Sequence, residues 1–246
     1  MKIALIGYGK MGRLIEDLAL QNEHQIIAKI HPNGLLKSIE STALQEADVC
    51  IDFSTPQSAI ENIRSLAALK KNIVMGTTGW YAHMDEVKQL VKEQNIGFIF
   101  SPNFSIGVHL FKNIVSSAAE LINLFDEYDI AGHEIHHNQK IDSPSGTAKY
   151  IVHTLLEKIK RKTTPVYELL DRPIATHELH FPCIRCGSTP GTHSVIFDSP
   201  ADTITISHQA RNREGFAVGA LTAAEWLNGR SGFFTLDDMI NFKLVQ

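Results

Sequence analysis

Short apolar runs alternate with helical patterns over the first hundred residues, and this alternation limits the fold more than any other feature. The runs cover residues 3–6, 25–30, 49–53, 73–75 and 97–100. Each is apolar at nearly every position, as expected for a strand covered on both faces. Helices are predicted over 11–20, 56–69 and 83–94. This repetition predicts an α/β fold with a Rossmann-like, doubly wound parallel sheet.

The pattern changes after residue 104. A helix is predicted over 108–125, then a strand at 128–135, a polar loop at 136–145 and a helix at 146–160. Residues 178–185, 193–197 and 203–208 alternate polar and apolar side chains, which predicts a mixed or antiparallel sheet. Helical patterns return at 216–227 and 236–242. We expect a dinucleotide-binding domain over 1–106 with a returning tail at 217–246, and a second α+β domain over 107–216.

Composition narrows the classes of partner. The 246 residues include 23 Lys and Arg against 27 Asp and Glu, which gives a formal net charge of -4. This balance argues against binding nucleic acid through overall charge. No apolar run approaches the roughly 20 residues that span a bilayer, and three cysteines are too few for a disulfide framework. We therefore expect a cytoplasmic protein with a small-molecule partner, and neither a nucleic acid nor a membrane.

A glycine-rich motif lies directly after the first predicted strand and directly before the first predicted helix. A turn, a close approach to a pyrophosphate and tight helix–strand packing each require glycine there. The alternative is a glycine turn without a ligand, but the βαβ context favours a dinucleotide. The candidate coenzyme-binding residues are Gly7, Tyr8, Gly9, Lys10, Met11 and Gly12.

The coenzyme itself stays open between NADPH and NADH. An acidic side chain after the second strand would bind the ribose hydroxyls of NADH, and a basic one would bind the 2′-phosphate of NADPH. Residues 28–33 read AKIHPN and contain no carboxylate. His31 is the candidate ligand in this segment, and a solvated loop histidine is the alternative.

Two sequence patterns resemble metal sites, but neither is interpreted as one. Residues 133–137 read HEIHH, which matches H-E-x-x-H, yet that pattern binds zinc only on a helix and here it follows an alternating run. A second set of four His and Cys residues is spaced by three positions. On a strand their side chains would point to alternating faces and could not bind one metal ion, and Pro182 excludes a helix. That set is His177, His180, Cys183 and Cys186. We expect no metal.

A basic loop and the helix after it form the strongest candidate for a substrate site. His136, His137 and Lys140 lie within five residues, and Ser145-Gly146-Thr147 opens the next helix. Two adjacent histidines can serve one pocket only if the strand ends there, which Pro144 and the polar run favour. Helix-tip amides, hydroxyls and positive charge suit an anionic, carboxylate-bearing substrate. A surface loop capped by Ser143 or Ser145 is the alternative.

Residues 134–148 read EIHHNQKIDSPSGTA, and they resemble the signature of the dihydrodipicolinate reductase family. Every fixed position of the family pattern E-x-H-H-x-x-K-x-D-x-P-S-G-T-A is present. Further family-like stretches occur in order along the chain at residues 9–12, 52–54, 76–79, 102–108 and 185–193. The resemblance covers essentially the whole sequence.

The resemblance implies an NAD(P)H-dependent reduction of 4-hydroxy-tetrahydrodipicolinate, with loss of water, in the biosynthesis of lysine and diaminopimelate. It implies that His136 is the proton donor or acceptor and Lys140 the second proton donor. The substrate carboxylates would be held by His137, Ser145, Gly146 and Thr147. It also implies a homotetramer built through the sheet of the second domain. The nicotinamide side would be lined by Gly76, Thr77, Thr78, Ser101, Pro102, Asn103 and Phe104.

The sequence departs from the family at the coenzyme end. The glycine motif is one residue shorter than the usual G-A-x-G-R-M-G, and Lys10 replaces the common arginine. His31 stands where an acidic side chain is often found. An amino-acid dehydrogenase of similar architecture and a non-catalytic dinucleotide sensor are the alternative functions.

Overall fold

The computed structural model describes residues 1–31 and 44–244, which form two compact units. Met1–Ser105 together with Glu214–Gln246 make the first unit, and Ile106–Arg213 make the second. Each unit has a six-stranded sheet of its own. The two sets of candidate site residues therefore have separate structural supports.

The sheet of the first unit is entirely parallel. Its strand order is β12-β5-β4-β3-β1-β2, with elements numbered in chain order. The strands are β1 (Lys2–Ile6), β2 (Gln25–Ile30), β3 (Val49–Asp52), β4 (Asn72–Met75), β5 (Gly97–Phe100) and β12 (Gly232–Thr235).

Helices cover both faces of this sheet. Ile3 and Leu5 point into a core formed with α1, α6 and α7, whereas Ala4 and Ile6 point into a core formed with α2 and α3. Because both faces are covered by helices, the strands are mostly apolar. The predicted doubly wound α/β fold is confirmed. The helices are α1 (Lys10–Gln21), α2 (Pro56–Ala68), α3 (Met84–Gln94), α6 (Glu214–Leu227) and α7 (Leu236–Leu244), with a 3₁₀ turn at Tyr81–His83.

The second unit packs two helices on a mixed sheet, as predicted. Strand β10 pairs antiparallel with β6 and β11, whereas β8 and β9 run parallel to β6 and β7 runs parallel to β8. None of the described helices combines the length and apolar character that a membrane span requires. The elements are α4 (Ile106–Ile122), β6 (Asp129–His136), α5 (Gly146–Lys158), β7 (Thr164–Val166), β8 (Glu178–His180), β9 (Cys183–Arg185), β10 (Thr192–Asp198) and β11 (Thr203–Gln209).

One strand prediction is wrong, and two further strands lie where none is predicted. The single strand predicted over 178–185 is two strands, because Pro182 has no N–H for a ladder and its carbonyl accepts the amide of Glu134 at 3.1 Å. Strand β7 is three residues long and contains Pro165, so it lacks a strand pattern. Strand β12 lies between the two predicted helices of the tail, and it extends the first sheet beside β5.

The loops after β1 and β3 approach each other closely. Strand β1 lies between β2 and β3, so the strand order changes direction there, and ligands of open α/β sheets bind at such a point. Gly7 has φ +88°, and a Cβ added to it would lie 2.2 Å from the carbonyl oxygen of Phe53. Glycine is therefore required at position 7 by both backbone conformation and space.

The substitution Gly132→Ala tests the packing of the second unit. A Cβ at this buried position on β6 would lie 2.4 Å from the Phe181 ring and 2.6 Å from the carbonyl oxygen of Ser194. We expect the free energy of unfolding, measured with urea, to fall by about 1–3 kcal/mol. The control is Gly215→Ala in α6, where the nearest atom would be 3.7 Å away; an exposed helical position should gain up to about 1 kcal/mol. Equal stability of the Gly132 variant and the wild type would contradict the packing described.

Candidate active site

A cavity of about 320 Å³ opens in the first unit at the carboxyl ends of β1, β3 and β4. Six of the predicted coenzyme-binding residues line it, and Gly7 and Gly12 build the turn behind it. The volume is within the range of small-molecule pockets. The lining residues are Gly9, Lys10, Met11, Phe53, Ser54, Pro56, Gly76, Thr77 and Thr78.

The first turn of α1 is suited to a phosphate group. Gly9 is the N-cap residue, and the helix has no side-chain cap hydrogen bond. Its first-turn amides therefore keep their donor capacity, and the helix dipole favours an anion in front of them. A Cβ on Gly12 would lie 2.9 Å from the Gly7 carbonyl oxygen, so the turn can close only around glycine. These features fit the pyrophosphate of a dinucleotide.

Asp52, at the end of β3, organises the loops that line the cavity. Its Oδ1 accepts hydrogen bonds from the amide and hydroxyl of Ser54 and from the Thr77 hydroxyl, the latter at 2.7 Å. Its Oδ2 accepts from Asn62 at 2.9 Å. Burial raises the pKa of Asp52, although these hydrogen bonds oppose the effect. One carboxyl group thus fixes two walls of the cavity.

The remaining predicted coenzyme residues of the first unit lie outside the cavity lining. Ser101 and Asn103 form a tight turn after β5, in which the Ser101 hydroxyl donates to the Asn103 carbonyl at 2.6 Å; Pro102 lies between them. Phe104 is buried and its ring meets that of Phe53 edge-on at 6.0 Å. Its side chain belongs to the core, so any ligand contact there would involve backbone.

Charged groups surround Tyr8 near the end of β2. The Tyr8 hydroxyl donates to Glu16, and Lys29 pairs with the same carboxylate at 2.5 Å. The Lys29 ammonium also lies 5.1 Å from the centre of the Tyr8 ring. His31 is exposed directly after the strand. Residues 32 and 33 of the predicted ribose-binding segment lie outside the described residues.

In the second unit, β6 ends at His136. Because the strand ends there, His136 and His137 need not point to opposite faces and can serve one pocket. His136 is buried and His137 is half-buried. Arg185 on β9 fixes the loop that follows β6, because its guanidinium donates hydrogen bonds to the carbonyls of Lys140 and Asp142. The Lys140 ammonium pairs with the Asp142 carboxylate at 2.7 Å. The loop thereby holds Lys140 close to the end of β6.

The tip of α5 presents backbone donors beside this loop. Ser145 is the N-cap, and its hydroxyl accepts the amide of Ala148 at 3.1 Å. Its own amide donates to Glu134 at 2.9 Å. Within the described chain the amides of Gly146 and Thr147 have no such partner, as is usual for the first two positions of a helix. The tip therefore offers two adjacent amides to an anion.

Three buried side chains form a cluster behind these groups. Glu134 and His136 share one face of β6, and His193 lies opposite Glu134 on β10. Their exposed fractions are 0%, 7% and 5%. The Glu134 Oε2 atom lies 3.4 Å from His136 Nδ1 and 3.2 Å from His193 Nε2. The cluster joins the end of β6 to the tip of α5 through Ser145.

The charge of Glu134 is stabilised by its partners. Burial alone would raise its pKa, but hydrogen bonds from His193 and from the hydroxyl and amide of Ser145 outweigh that effect. The pKa of Glu134 therefore lies well below its usual range. The carboxylate is ionised at every pH at which the protein would work.

The surroundings of His136 favour its neutral form, whereas those of Glu134 favour the charged form. Burial lowers the pKa of His136 to about 4. The negative charge of Glu134 opposes this effect, whereas the positive charges of Lys140 and Arg185 and the neighbouring His193 add to it. The imidazole is therefore neutral near pH 7, and added negative charge close to it would raise its pKa.

Among the described residues, this cluster is also the group whose side chains lie close enough together to hold a metal ion. One ligand atom from each of Glu134, His136 and His193 lies within 4.8 Å of the others. The guanidinium of Arg185 lies 4.0 Å from Glu134 Oε1, and Lys140 is close enough to lower the pKa of His136. This positive potential favours an anion over a cation here. The H-E-x-x-H residues lie at the end of β6, so the helical zinc arrangement is excluded.

Comparison with known proteins places this geometry in a family. Residues 1–104 match the family model described as "Dihydrodipicolinate reductase, N-terminus", and residues 107–240 match "Dihydrodipicolinate reductase, C-terminus". The chain belongs to the dihydrodipicolinate reductase family. A curated 4-hydroxy-tetrahydrodipicolinate reductase from Christiangramia forsetii is 37% identical over 244 residues, covering 98% of each chain. One from Staphylococcus haemolyticus is 36% identical and covers 97% of this chain and 100% of its own.

Solved structures agree with the fold. A dipicolinate-bound dihydrodipicolinate reductase from Paenisporosarcina sp. TG-14 has a TM-score of 0.78 at 22% identity, covering 97% of this chain and 98% of its own. An amine dehydrogenase from Mycobacterium smegmatis has a TM-score of 0.55 at 11% identity, covering 96% and 95%. The predicted family is confirmed, and with it the assignment of the chain as an oxidoreductase that binds a dinucleotide.

Sequence reasoning missed several residues of this reductase. In the first unit it did not assign Asp52, although an acidic residue closing a buried strand was a usable signal. In the second unit it did not assign Glu134 or His193. Glu134 lies two positions before His136, which on a strand predicts a shared face. No sequence signal paired His193 with them, since β10 follows much later in the chain.

The lowered pKa of His136 predicts acid sensitivity. Between about pH 6.5 and pH 4 the unfolded chain binds a proton at this residue that the folded chain does not, so stability falls as pH falls. The pKa of His208 is lowered by burial and by His193, and it acts with the same sign. We expect wild type to lose on the order of 1–2 kcal/mol more than His136→Gln between pH 7.5 and pH 5 in urea titrations.

The control for this measurement is His153→Gln, because His153 is exposed on α5. That variant should keep the full pH dependence of the wild type. If the free energy of unfolding falls equally with pH in the wild type and in His136→Gln, then His136 is not held neutral in the folded chain.

Proposed function

We propose that this chain catalyses the NAD(P)H-dependent reduction of 4-hydroxy-tetrahydrodipicolinate to tetrahydrodipicolinate, with loss of water, in lysine and diaminopimelate biosynthesis. The observation that carries the proposal is the second unit's combination of His136, Lys140 and the open amides at the tip of α5. A proton source beside an anion-binding helix tip suits reduction of a cyclic dicarboxylate imine. Amine dehydrogenases share only the fold.

The first unit would hold the coenzyme, NADPH or NADH, which supplies a hydride when bound. Amides at the start of α1 and the ammonium of Lys10 would bind its pyrophosphate. Gly76, Thr77 and Thr78 line the same cavity and would face the nicotinamide end. Lys29 is paired with Glu16, so its charge is balanced within the protein and leaves both coenzymes acceptable. His31 would contact the ribose.

The second unit would bind the substrate by its carboxylates. The amides of Gly146 and Thr147 match the two oxygens of one carboxylate, and Ser145 would hold them in place by capping the helix. His137, half-buried at the start of the loop, would contact a substrate carboxylate from the opposite side. The resulting charge-assisted hydrogen bonds are about twice as strong as neutral ones.

Proton supply would come from His136 and Lys140. In the free protein the neutral imidazole cannot donate a proton, since its pKa lies at about 4. A doubly negative substrate raises that pKa, so His136 takes up a proton as the substrate binds. Lys140, held by Asp142 at 2.7 Å, would supply the second proton. Charge that develops on the ring is thereby neutralised.

The same proposal covers assembly and location. Strand β11 is the edge of the second sheet, and its side chains are largely exposed. This edge would join copies of the chain into the homotetramer that the family resemblance implies. The free thiols of Cys50, Cys183 and Cys186 suit a reducing cytoplasm.

Substitution of the proposed proton donors tests the reaction. With the product of dihydrodipicolinate synthase as substrate, His136→Gln and Lys140→Ala should each lower kcat by about 10²- to 10⁴-fold, measured as NAD(P)H consumption. Lys158→Ala is the control, because Lys158 pairs with Glu120 at the far end of α5. Wild type without turnover would refute the proposed function, and wild-type rates in both variants would refute the residue roles.

Separate titrations with NADH and NADPH test the coenzyme site. Lys10→Ala removes a charge from the cavity, and we expect the Kd of the bound coenzyme to rise about tenfold, the size of one charged hydrogen bond. Lys92→Ala on the exposed face of α3 is the matched control. If Lys10→Ala binds both coenzymes as tightly as the control, the cavity does not hold the pyrophosphate.

A further inference from the structure

The proposed reaction uses His136 but leaves the two buried groups beside it without a role. Glu134 is fully buried, and carboxylate side chains are almost never fully buried unless they are paired. A neutral side chain of the same shape would avoid the cost of removing this charge from water. Packing alone therefore does not explain a carboxylate at position 134.

The contacts of Glu134 connect it to both working parts of the second unit. Its Oε1 accepts the amide of Ser145, the residue that caps α5, at 2.9 Å. Its Oε2 faces His136 Nδ1 at 3.4 Å and His193 Nε2 at 3.2 Å. His193 Nε2 also lies 3.3 Å from the Ser145 hydroxyl. Ser145 therefore donates to one carboxylate oxygen, and the other oxygen lies between the imidazoles of His136 and His193.

The Nε2 edge of the His136 ring lies against Gly191. A Cβ added to Gly191 would lie 3.0 Å from His136 Nε2 and 3.3 Å from its Cδ2. Glycine at 191 therefore keeps side-chain atoms away from Nε2. The ring has a carboxylate near Nδ1 and a residue without a side chain near Nε2, which suits an oriented acid–base histidine.

We propose that Glu134 is a positioning residue for His136, and that His193 holds Glu134 in place. Glu134 keeps the proton of the neutral ring on Nδ1 and stabilises the imidazolium, which leaves Nε2 as the atom that exchanges protons with substrate. The backbone contact with Ser145 fixes this pair relative to the helix tip that binds carboxylates. The assignment rests on the proposed function only where it concerns turnover.

Electrostatics supports the same role. The groups that face His136 are Glu134 on its own strand, His193 on β10, Arg185 on β9 and Lys140 in the loop. Burial and the last three disfavour the imidazolium, and Glu134 alone among them favours it. Without the carboxylate, His136 would bind a proton even less readily. Loss of Glu134 should therefore shift the pH dependence of turnover, beyond any loss of stability.

The decisive variant is Glu134→Gln, which keeps size and removes charge. We expect kcat to fall about 10- to 100-fold, as for other residues that orient a site group, with KM changed by less than about threefold. The limb of the pH profile that requires protonated His136 should move to lower pH. Glu134→Asp, which retains the charge, should recover part of kcat.

Glu178→Gln is the matched control, because Glu178 is another buried, ion-paired carboxylate of the same sheet. It should lose stability without a shift in the pH profile. His193→Gln should lower kcat in the same way as Glu134→Gln, and the double variant should be no worse than either single one. A Glu134→Gln enzyme with the kcat and pH profile of the Glu178 control would overturn the proposal.

A second readout does not depend on turnover. Long-range ¹H–¹⁵N spectra of histidine-labelled protein report which ring nitrogen carries the proton, and the His136 signals are assigned by their loss in His136→Gln. We expect the Nδ1–H tautomer in wild type, and a changed tautomer or a lower pKa in Glu134→Gln. The Nε2–H tautomer in wild type would overturn the proposal. The expected tautomer in a wild type without reductase activity would uphold the positioning and reject the proposed function.

Discussion

Glu134 carries a negative charge in a place that water does not reach, and the arrangement of the second unit's site follows from that fact. A buried carboxylate is tolerated only with several close donors. Those donors are Ser145 at the start of α5 and His193 on β10, so satisfying one charge sets the distance between a helix and two strands. We propose that the same group orients His136. The helix tip proposed to bind anions and the proposed acid–base histidine are consequently both in contact with one buried carboxylate.

The first unit uses a buried carboxyl group in a comparable way. Asp52 ends β3 and accepts hydrogen bonds from Ser54, Asn62 and Thr77, which belong to three different segments. The loops that line the cavity of the first unit are therefore connected through a single side chain. In both units the residues proposed to face ligands lie in loops or at helix starts, while a buried carboxyl group on a strand contacts those segments.

Most of the fold could be predicted from the sequence because its strands are apolar on both faces and its helices have clear periodicity. The glycine motif and the segment 134–148 were recognisable since their residues are consecutive in the chain. The elements that were missed are short, such as β7 with Pro165, or lie in an otherwise helical tail, such as β12. The partnership of Glu134 with His193 depends on strand register, which local patterns do not encode.

The tip of α5 has a stereochemical consequence for the choice of ligand. The amide of Ser145 is used by Glu134 and that of Ala148 by the Ser145 hydroxyl, which leaves the amides of Gly146 and Thr147. Two neighbouring donors match the two coplanar oxygens of a carboxylate, whereas a tetrahedral phosphate or sulfate would keep oxygens without partners and retain part of its dehydration cost. Because two of its four amides are used within the protein, the proposed site would discriminate between anions by shape as well as by charge.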